Sequence, residues 1–379
     1  MLMTMKKLFW CIQQLDRFGG TETVSVQLMN LLCPYYDITL VCTSKLEGEV
    51  VYDLDPRLKV VYLDVPSEVG RFDQFWMEYG KKHQHKKRIH LLNQLLSAYV
   101  FHKGRYRKKL AEMMDDDSIL IASSLDSYVL SPKKKKVFFH YHFDAPNFFS
   151  GAFQSELKIA RKPDRWIFLS KAITEEITTK KPKLKDRSSF IYNPIKFDPV
   201  LDTEYHDNAL IFVGRYTEQK NPLFALKIAN VLHEKGFPFT LNMYGDGHLE
   251  SAMRSYCETQ GLSEVTIHTN TKVTQKQYLE SDLLLLTSRY EGFVLVKGEA
   301  NASSRPVLST QWKGSIAEMF HEGKDGWVID TLDPEDYANK IIEVLSDKEK
   351  LKEIKKNSYE CSLALGKEAI VKEWRALLG

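Results

Sequence analysis

The sequence predicts an α/β protein built as two doubly wound domains. Three observations lead there. The chain is 379 residues long, more than one ordinary core accommodates. Short β-rich runs alternate with helix-length amphipathic segments, the pattern of parallel sheets. The whole scheme then restarts after a proline-containing, weakly periodic stretch, SSFIYNPIKFDPVLDTEYHDNA. The expected layout is residues 1–195 and 196–360 as Rossmann-like domains, with 361–379 as a helix crossing back to the first.

In the first half the strand candidates are KKLFWCIQQL, YDITLVCT, LKVVYLDV, SILIASS, KKVFFHYHF and RWIFLS. TETVSVQLMNLL and HLLNQLLSAYVFHKGRYRKKLAEMM read as helices between them. The second half offers NALIFVGR, FTLNMYG, VTIHTN, LLLLTS and PVLST as strands. Two such domains should leave a cleft at the carboxyl ends of their strands, where this class binds ligands.

Composition sets limits on what that ligand site uses. With 43% hydrophobic and 27% charged residues the chain is globular. Its five cysteines are Cys11, Cys33, Cys42, Cys257 and Cys361, with no C-x-x-C pair, so neither a disulfide framework nor a zinc site is expected. The apolar patch after Lys6 and Lys7 ends at Gln13, too short for a secretory segment. No run approaches the ~18 apolar residues of a membrane span. A cytoplasmic protein is expected.

The net charge of +3 is unevenly spread: residues 1–190 carry 31 Lys+Arg against 22 Asp+Glu, and the remainder 22 against 28. The excess lies in KKHQHKKR (81–88), HKGRYRKK (102–109) and KKKK (133–136). Such runs form a solvated face or meet anions. No nucleic-acid motif accompanies them, so no nucleic-acid partner is expected, and an anionic membrane surface is the better partner.

Four stretches could face the cleft. DRFGGTE puts Gly19 and Gly20 at a strand-to-helix turn, where amides approach a ligand and a helix N-terminus favours an anion. It lacks the G-x-G-x-x-G dinucleotide fingerprint. VGRYTEQKNP places Arg215 and Lys220 after Gly214 and before a helix starting near Pro222; two cations there suit a diphosphate. SRYEGFVLVKGEA puts Glu291 at a strand end and Glu299 eight positions later in a helix starting near Val294. Amides around Gly292, Phe293, Val294 and Leu295 can hold an anion, while carboxylates accept from hydroxyls. The pair therefore suits a nucleotide-sugar, although a capping glutamate and a solvated one would share this spacing. FFHYHFD offers His140 and His142, which alternate and so face one side. MYGDGHLE reads as a plain turn.

Together these stretches resemble family-4 glycosyltransferases of the GT-B fold. EGFVLVKGE matches that family's E-x7-E element, GRYTEQK its phosphate element and GGTE its N-terminal glycine turn. IYNPI, FLSKAITEEI and RPVLST fit in the same order. The resemblance implies retaining transfer of a hexose from a nucleotide-sugar, most simply UDP-linked, to a glycan or lipid-linked glycan acceptor. It implies that Glu291 holds donor-sugar hydroxyls, Glu299 the ribose, and Arg215 and Lys220 the leaving diphosphate, aided by Gly19, Gly20 and amides after Gly292. It points one histidine at the donor sugar; His142, nearer the strand's carboxyl end, is favoured over His140. No D-x-D cluster stands where it would hold Mg²⁺, since Asp115–Asp117 lie in a polar loop, so no metal or other cofactor is expected. Lys297, Gly298 and Val294 depart from the family pattern. Two alternatives share these residues: a nucleotide-sugar epimerase, and a non-catalytic paralogue that stabilises a partner transferase.

Overall fold

The structure is a computed structural model. It describes residues 5–17, 19–44, 46–65, 104–124, 127–128, 130–132, 134–151, 153–154, 162–291, 293–312 and 316–379. The chain divides into two compact units. One comprises Met1–Leu169 with Thr174–Ile191, the other Ser170–Ile173 with Tyr192–Gly379.

The first unit holds a parallel seven-stranded sheet in the order β3-β2-β1-β4-β5-β6-β7. Its strands are β1 (Lys7–Ile12), β2 (Asp37–Ser44), β3 (Lys59–Val65), β4 (Ile119–Ala122), β5 (Lys136–His140), β6 (Arg165–Phe168) and β7 (Ser188–Phe190). Helix α1 (Gly20–Leu32) follows β1 and buries Val24, Val26, Leu28, Met29 and Leu32. Chain order reverses between β1 and β4, which pair from Leu8↔Ile119 to Cys11↔Ala122. Ligands of doubly wound sheets bind at such a reversal.

The second unit repeats the arrangement as a parallel six-stranded sheet, β10-β9-β8-β11-β12-β13. Its strands are β8 (Ala209–Val213), β9 (Thr240–Tyr244), β10 (Val265–His268), β11 (Leu283–Leu286), β12 (Val307–Thr310) and β13 (Gly326–Ile329). Here the reversal falls between β8 and β11, paired at Leu283↔Leu210 and Leu284↔Ile211. Both strands read as unbroken apolar runs because helices cover both faces. Alternation then sorts their side chains: Leu210, Phe212, Leu283 and Leu285 enter one core cluster, Ile211, Leu284 and Leu286 the other.

Three helices of this unit matter below: α2 (Pro222–Glu234), α3 (Leu295–Ala302) and α4 (Lys348–Ser362). Helix α2 starts where expected, with Pro222 in its first turn behind Asn221 at φ 50°. Asn tolerates that left-handed geometry, and Pro at the first helical position forfeits no hydrogen bond. Two strands, β7 and β13, were not anticipated. One is the three-residue SSF and the other opens on Gly326, so neither offers the apolar run that marked four-residue strands such as β4 and β11.

Candidate functional site

The second unit's sheet carries the densest chemistry at its chain reversal. Beyond β8 the segment Gly214–Asn221 leads into α2; beyond β11, Thr287–Val294 leads into α3. Lys220 and Glu291, 71 positions apart, meet between these segments as a part-buried ion pair through Lys220 Nζ and Glu291 Oε1. Ser288 Oγ donates to the same carboxylate oxygen at 2.6 Å. The Thr287 hydroxyl donates to the carbonyls of Lys220 and Asn221 at 3.1 and 3.0 Å, tying the two segments together. Sequence reasoning assigned Lys220 to phosphate and Glu291 to sugar. In the structure each neutralises the other.

Arg215 is exposed, its Nη2 donating to Gln219 Oε1 at 3.1 Å. Gln219 in turn donates to the Tyr290 carbonyl at 3.2 Å and accepts from the Arg289 amide at 2.8 Å. The guanidinium thus lies on the same pair of segments with much of its donor fork free for an anion.

Glu299 lies on α3 and is half-buried, accepting from the Tyr278 hydroxyl at 2.8 Å. Burial lifts its carboxyl above the ordinary range, against the opposing pull of Tyr278 and Lys196. It is therefore neither a cap nor a solvated side chain. Phe293 and Val294 pack against or within the second core cluster, and Leu295 opens α3. Gly292 lies outside the described residues.

The family departures on α3 have structural partners. Lys297 is buried and its Nζ contacts Asp325 Oδ2 and Asn301 Oδ1, both at 2.5 Å. A Cβ at Gly298 would stand 2.5 Å from Ile195 Cγ2 and 3.5 Å from Leu365 Cδ1. The helix spans only eight residues, and a glycine lets it lie against Ile195.

MYGDGHLE is more than a plain turn. A Cβ at Gly245 would meet Gly214 O at 2.0 Å, and one at Gly247, φ 155°, would meet Tyr216 O at 2.3 Å. Amide bonds from Gly214 to the Tyr244 carbonyl and from Tyr216 to that of Asp246, 3.0 and 2.8 Å, clamp the two loops. Gly245 and Gly247 thereby set the backbone that carries Arg215. The G-x-G spacing was the only sequence signal for this, and its partner loop could not be read from it.

The first unit presents a different chemistry at its strand ends. Gly19 precedes α1 in extended conformation, its amide donating to the Tyr52 hydroxyl at 2.8 Å. The Glu22 carboxylate folds back so closely that a Cβ at Gly19 would lie 2.2 Å from Oε2. Around Gly20 a Cβ would meet nothing. An acidic side chain thus sits beside the turn expected to receive an anion. Burial raises the Glu22 carboxyl above its usual range.

His140 ends β5 and is fully buried, while His142, just past the strand, is half-buried. Their rings lie 4.1 Å apart, so they do share a side. Burial, reinforced by His142, holds the His140 imidazole well below its ordinary range; burial alone lowers His142 to about 3. Both rings are neutral at physiological pH. His142 Nε2 has no hydrogen-bond partner among the described residues.

Comparison with known proteins agrees with this architecture. Residues 196–361 match the family described as glycosyl transferases group 1. S. aureus TarM, crystallised with UDP, superposes with a TM-score of 0.75 at 16% identity, over 99% of this chain and 100% of that one. Anabaena HepE in complex with UDP and glucose gives 0.71 at 17% identity, over 99% of both chains. The fold is GT-B, and fold and family match together support a glycosyltransferase. Among sequence relatives, the amylovoran biosynthesis glycosyltransferase AmsD of Erwinia amylovora is 22% identical over 99% of this chain and 100% of its own. A Campylobacter jejuni alpha-1,4-N-acetyl-D-galactosaminyltransferase, named for a PP-undecaprenol-linked glycan, is 24% identical over 99% and 98%.

Proposed function

We propose that this protein is a retaining hexosyltransferase that takes a sugar from a UDP-linked donor and passes it to a hydroxyl of a glycan or lipid-linked glycan. One observation carries the reading. Lys220 and Glu291 meet at the reversal of chain order in the second sheet, with Arg215 on the same loop and Glu299 on the following helix. Two cations and two carboxylates there match a ligand with phosphates in the middle and hydroxyls at both ends.

In this mechanism the donor diphosphate draws Lys220 away from Glu291. Arg215 and Lys220 neutralise the charge that develops as the phosphate leaves, in place of a metal. Glu291, released from its ion pair, accepts from donor-sugar hydroxyls, and Ser288 keeps its carboxylate oriented. Glu299 accepts from the ribose. The acceptor hydroxyl attacks from the face the leaving group departs: its oxygen bonds to the anomeric carbon as the bond from that carbon to the diphosphate breaks, and its proton passes to the departing phosphate oxygen, giving retention without a covalent intermediate. His142, neutral and with Nε2 without a partner among the described residues, can offer a hydrogen bond without adding charge.

The relatives that act on polysaccharides and PP-undecaprenol glycans favour an acceptor of that class. Among the described residues no helix is long and apolar enough to cross a membrane. The basic runs therefore provide the proposed contact with an anionic surface; 81–88 and the first two residues of 102–109 lie outside the described residues, as does Lys133.

The deciding experiment incubates the protein with a panel of nucleotide-sugars and follows release of nucleoside diphosphate and the anomeric form of the sugar. Slow hydrolysis of a UDP-hexose with retention is expected. Inversion, epimerised donor without acceptor, or no turnover of any donor would each overturn the reading.

A further inference from the structure

His321, Asp325 and Cys361 bring one imidazole nitrogen, one carboxylate oxygen and one thiol sulfur within 4.8 Å of one another. His321 and Asp325 bracket a tight turn ahead of β13, with Gly323 at φ 73° between them. Cys361 reaches the same point from the last turn of α4. His321 Nδ1 lies 3.2 Å from Asp325 Oδ2 and 3.7 Å from Cys361 Sγ.

Those separations are informative. Tetrahedral zinc, with bonds of ~2.3 Å to sulfur and ~2.0–2.2 Å to nitrogen and oxygen, requires N···O near ~3.4 Å and N···S near ~3.6 Å. An alternative, a thiol–imidazole–carboxylate relay, needs the two ring nitrogens to serve different partners. Here the same Nδ1 faces both groups, which suits donors converging on a common ion.

Supporting contacts orient the donors. The His321 backbone amide donates to Asp325 Oδ1 at 2.9 Å, and Lys297 Nζ contacts Oδ2 at 2.5 Å. Such outer partners fix ligand geometry in metal sites. A carboxylate oxygen has lone pairs for both an ammonium and a metal. With the cysteine as thiolate, Asp325 and Lys297 leave a net charge of minus one to receive a dication. Asp325 is fully buried, whereas the His321 side chain is 56% exposed. One ligand is thus anchored and one is open to solvent.

We propose that His321, Asp325 and Cys361 form a binding site for one zinc-type divalent transition metal. It is separate from the proposed transfer chemistry, and its test reads the metal rather than activity. Full-length protein, stripped of metal and titrated with Co²⁺, should develop a thiolate-to-cobalt charge-transfer band that saturates at an equimolar endpoint and is displaced by Zn²⁺. Cys361→Ser should abolish the band, while Cys257→Ser, at the other partly exposed thiol, should retain it. His321→Ala, at an exposed side chain, should weaken Co²⁺ binding by ~10-fold or more. It should also cancel the rise in melting temperature that Zn²⁺ gives the parent protein. No band in the parent protein, a band that persists in folded Cys361→Ser, or an unchanged affinity in His321→Ala would overturn the assignment.

Discussion

The two sheets share the order of their first six strands, yet their carboxyl ends carry different groups. At β5 of the first, two imidazoles are stripped of charge by burial, and beside the turn after β1 the Glu22 carboxyl is half of no ion pair among the described residues. The second holds charge at its carboxyl end as one pair, Lys220 with Glu291, while Lys355 with Asp282, Arg305 with Asp202 and Lys297 with Asp325 stand at its other end, where Asp282, Arg305 and Asp325 precede β11, β12 and β13. The difference teaches that topology supplies a place for a ligand, while the local balance of desolvation and pairing decides which ligand. Paired charges can be redirected to a diphosphate; neutral imidazoles can only offer hydrogen bonds.

The largest expected effect comes from breaking a pair that no ligand is proposed to use. Lys355 and Asp282 are 1% and 0% exposed, and Asp282 also accepts from the His206 and Ala209 amides. Lys355→Met should cost about 3–5 kcal/mol by leaving the carboxylate uncompensated. Urea unfolding measures it; a loss under about 1 kcal/mol would mean that the pair behaves like an exposed one.

Next comes the pair a ligand should redirect. Arg215→Ala should cost about 1.5–3 kcal/mol in kcat/KM through lost charged hydrogen bonds to the diphosphate, while stability stays unchanged because the side chain is exposed. Lys220→Ala should lose as much and also destabilise the fold, because Glu291 is buried. Omitting Mg²⁺ should leave activity intact. Normal kinetics in Arg215→Ala, or an absolute need for Mg²⁺, would refute the metal-free leaving-group role.

The two glutamates should separate in calorimetry with UDP. Glu299→Gln should weaken UDP binding by about 1.5–3 kcal/mol, the range for a hydrogen bond to a charged group. Glu291→Gln should leave UDP affinity intact and impair transfer. Equal UDP affinities in the two variants would remove the ribose and sugar assignments.

A smaller effect per residue is expected at the membrane, about 1 kcal/mol for each engaged cation. Sedimentation with vesicles containing anionic lipid should fall at high salt, as the screening length shrinks to ~3 Å at 1 M. It should also be lost when Lys81, Lys82, Lys86, Lys87 and Arg88 become Ser. Indifference to such vesicles at low salt would leave these runs as a solvated face.

The last contrast is a pair of opposite pH slopes in the two units. His142 takes up protons less readily folded than unfolded. It therefore supports stability above the ordinary histidine range, and that support is lost as pH falls from there toward about 3. Glu299 has the reverse sign: its raised carboxyl favours the native state at low pH, and that contribution is lost as pH rises through its folded value. His142→Gln should flatten the acid limb of a melting-temperature profile, and Glu299→Gln should raise stability mainly at neutral pH. Parallel profiles for parent and variants would show that neither group is as desolvated as its surroundings imply.

Much of this was legible before any coordinates. The apolar runs, the restart of the scheme and the order of GGTE, GRYTEQK and EGFVLVKGE lie within short windows, where periodicity and spacing carry information. The period of two put His140 and His142 on one side, and the structure sets their rings 4.1 Å apart. What failed was either very short or very distant. β7 (SSF) and β13 (GWVI) lack a continuous apolar run, and nothing near Lys297 pointed to Asp325, 28 positions away.

The sequence by itself determined the fold class, the two-part organisation and the identity of the chemically able residues, because each rests on local pattern. Only the tertiary structure decided which of them meet. Sheet order brings β8 beside β11, and that adjacency turns Lys220 and Glu291 from separate candidates into one ion pair. The return of α4 to the turn before β13 likewise sets Cys361 against His321 and Asp325. Pairing across such distances depends on how strands and helices pack, a property of the assembled core that no local window contains.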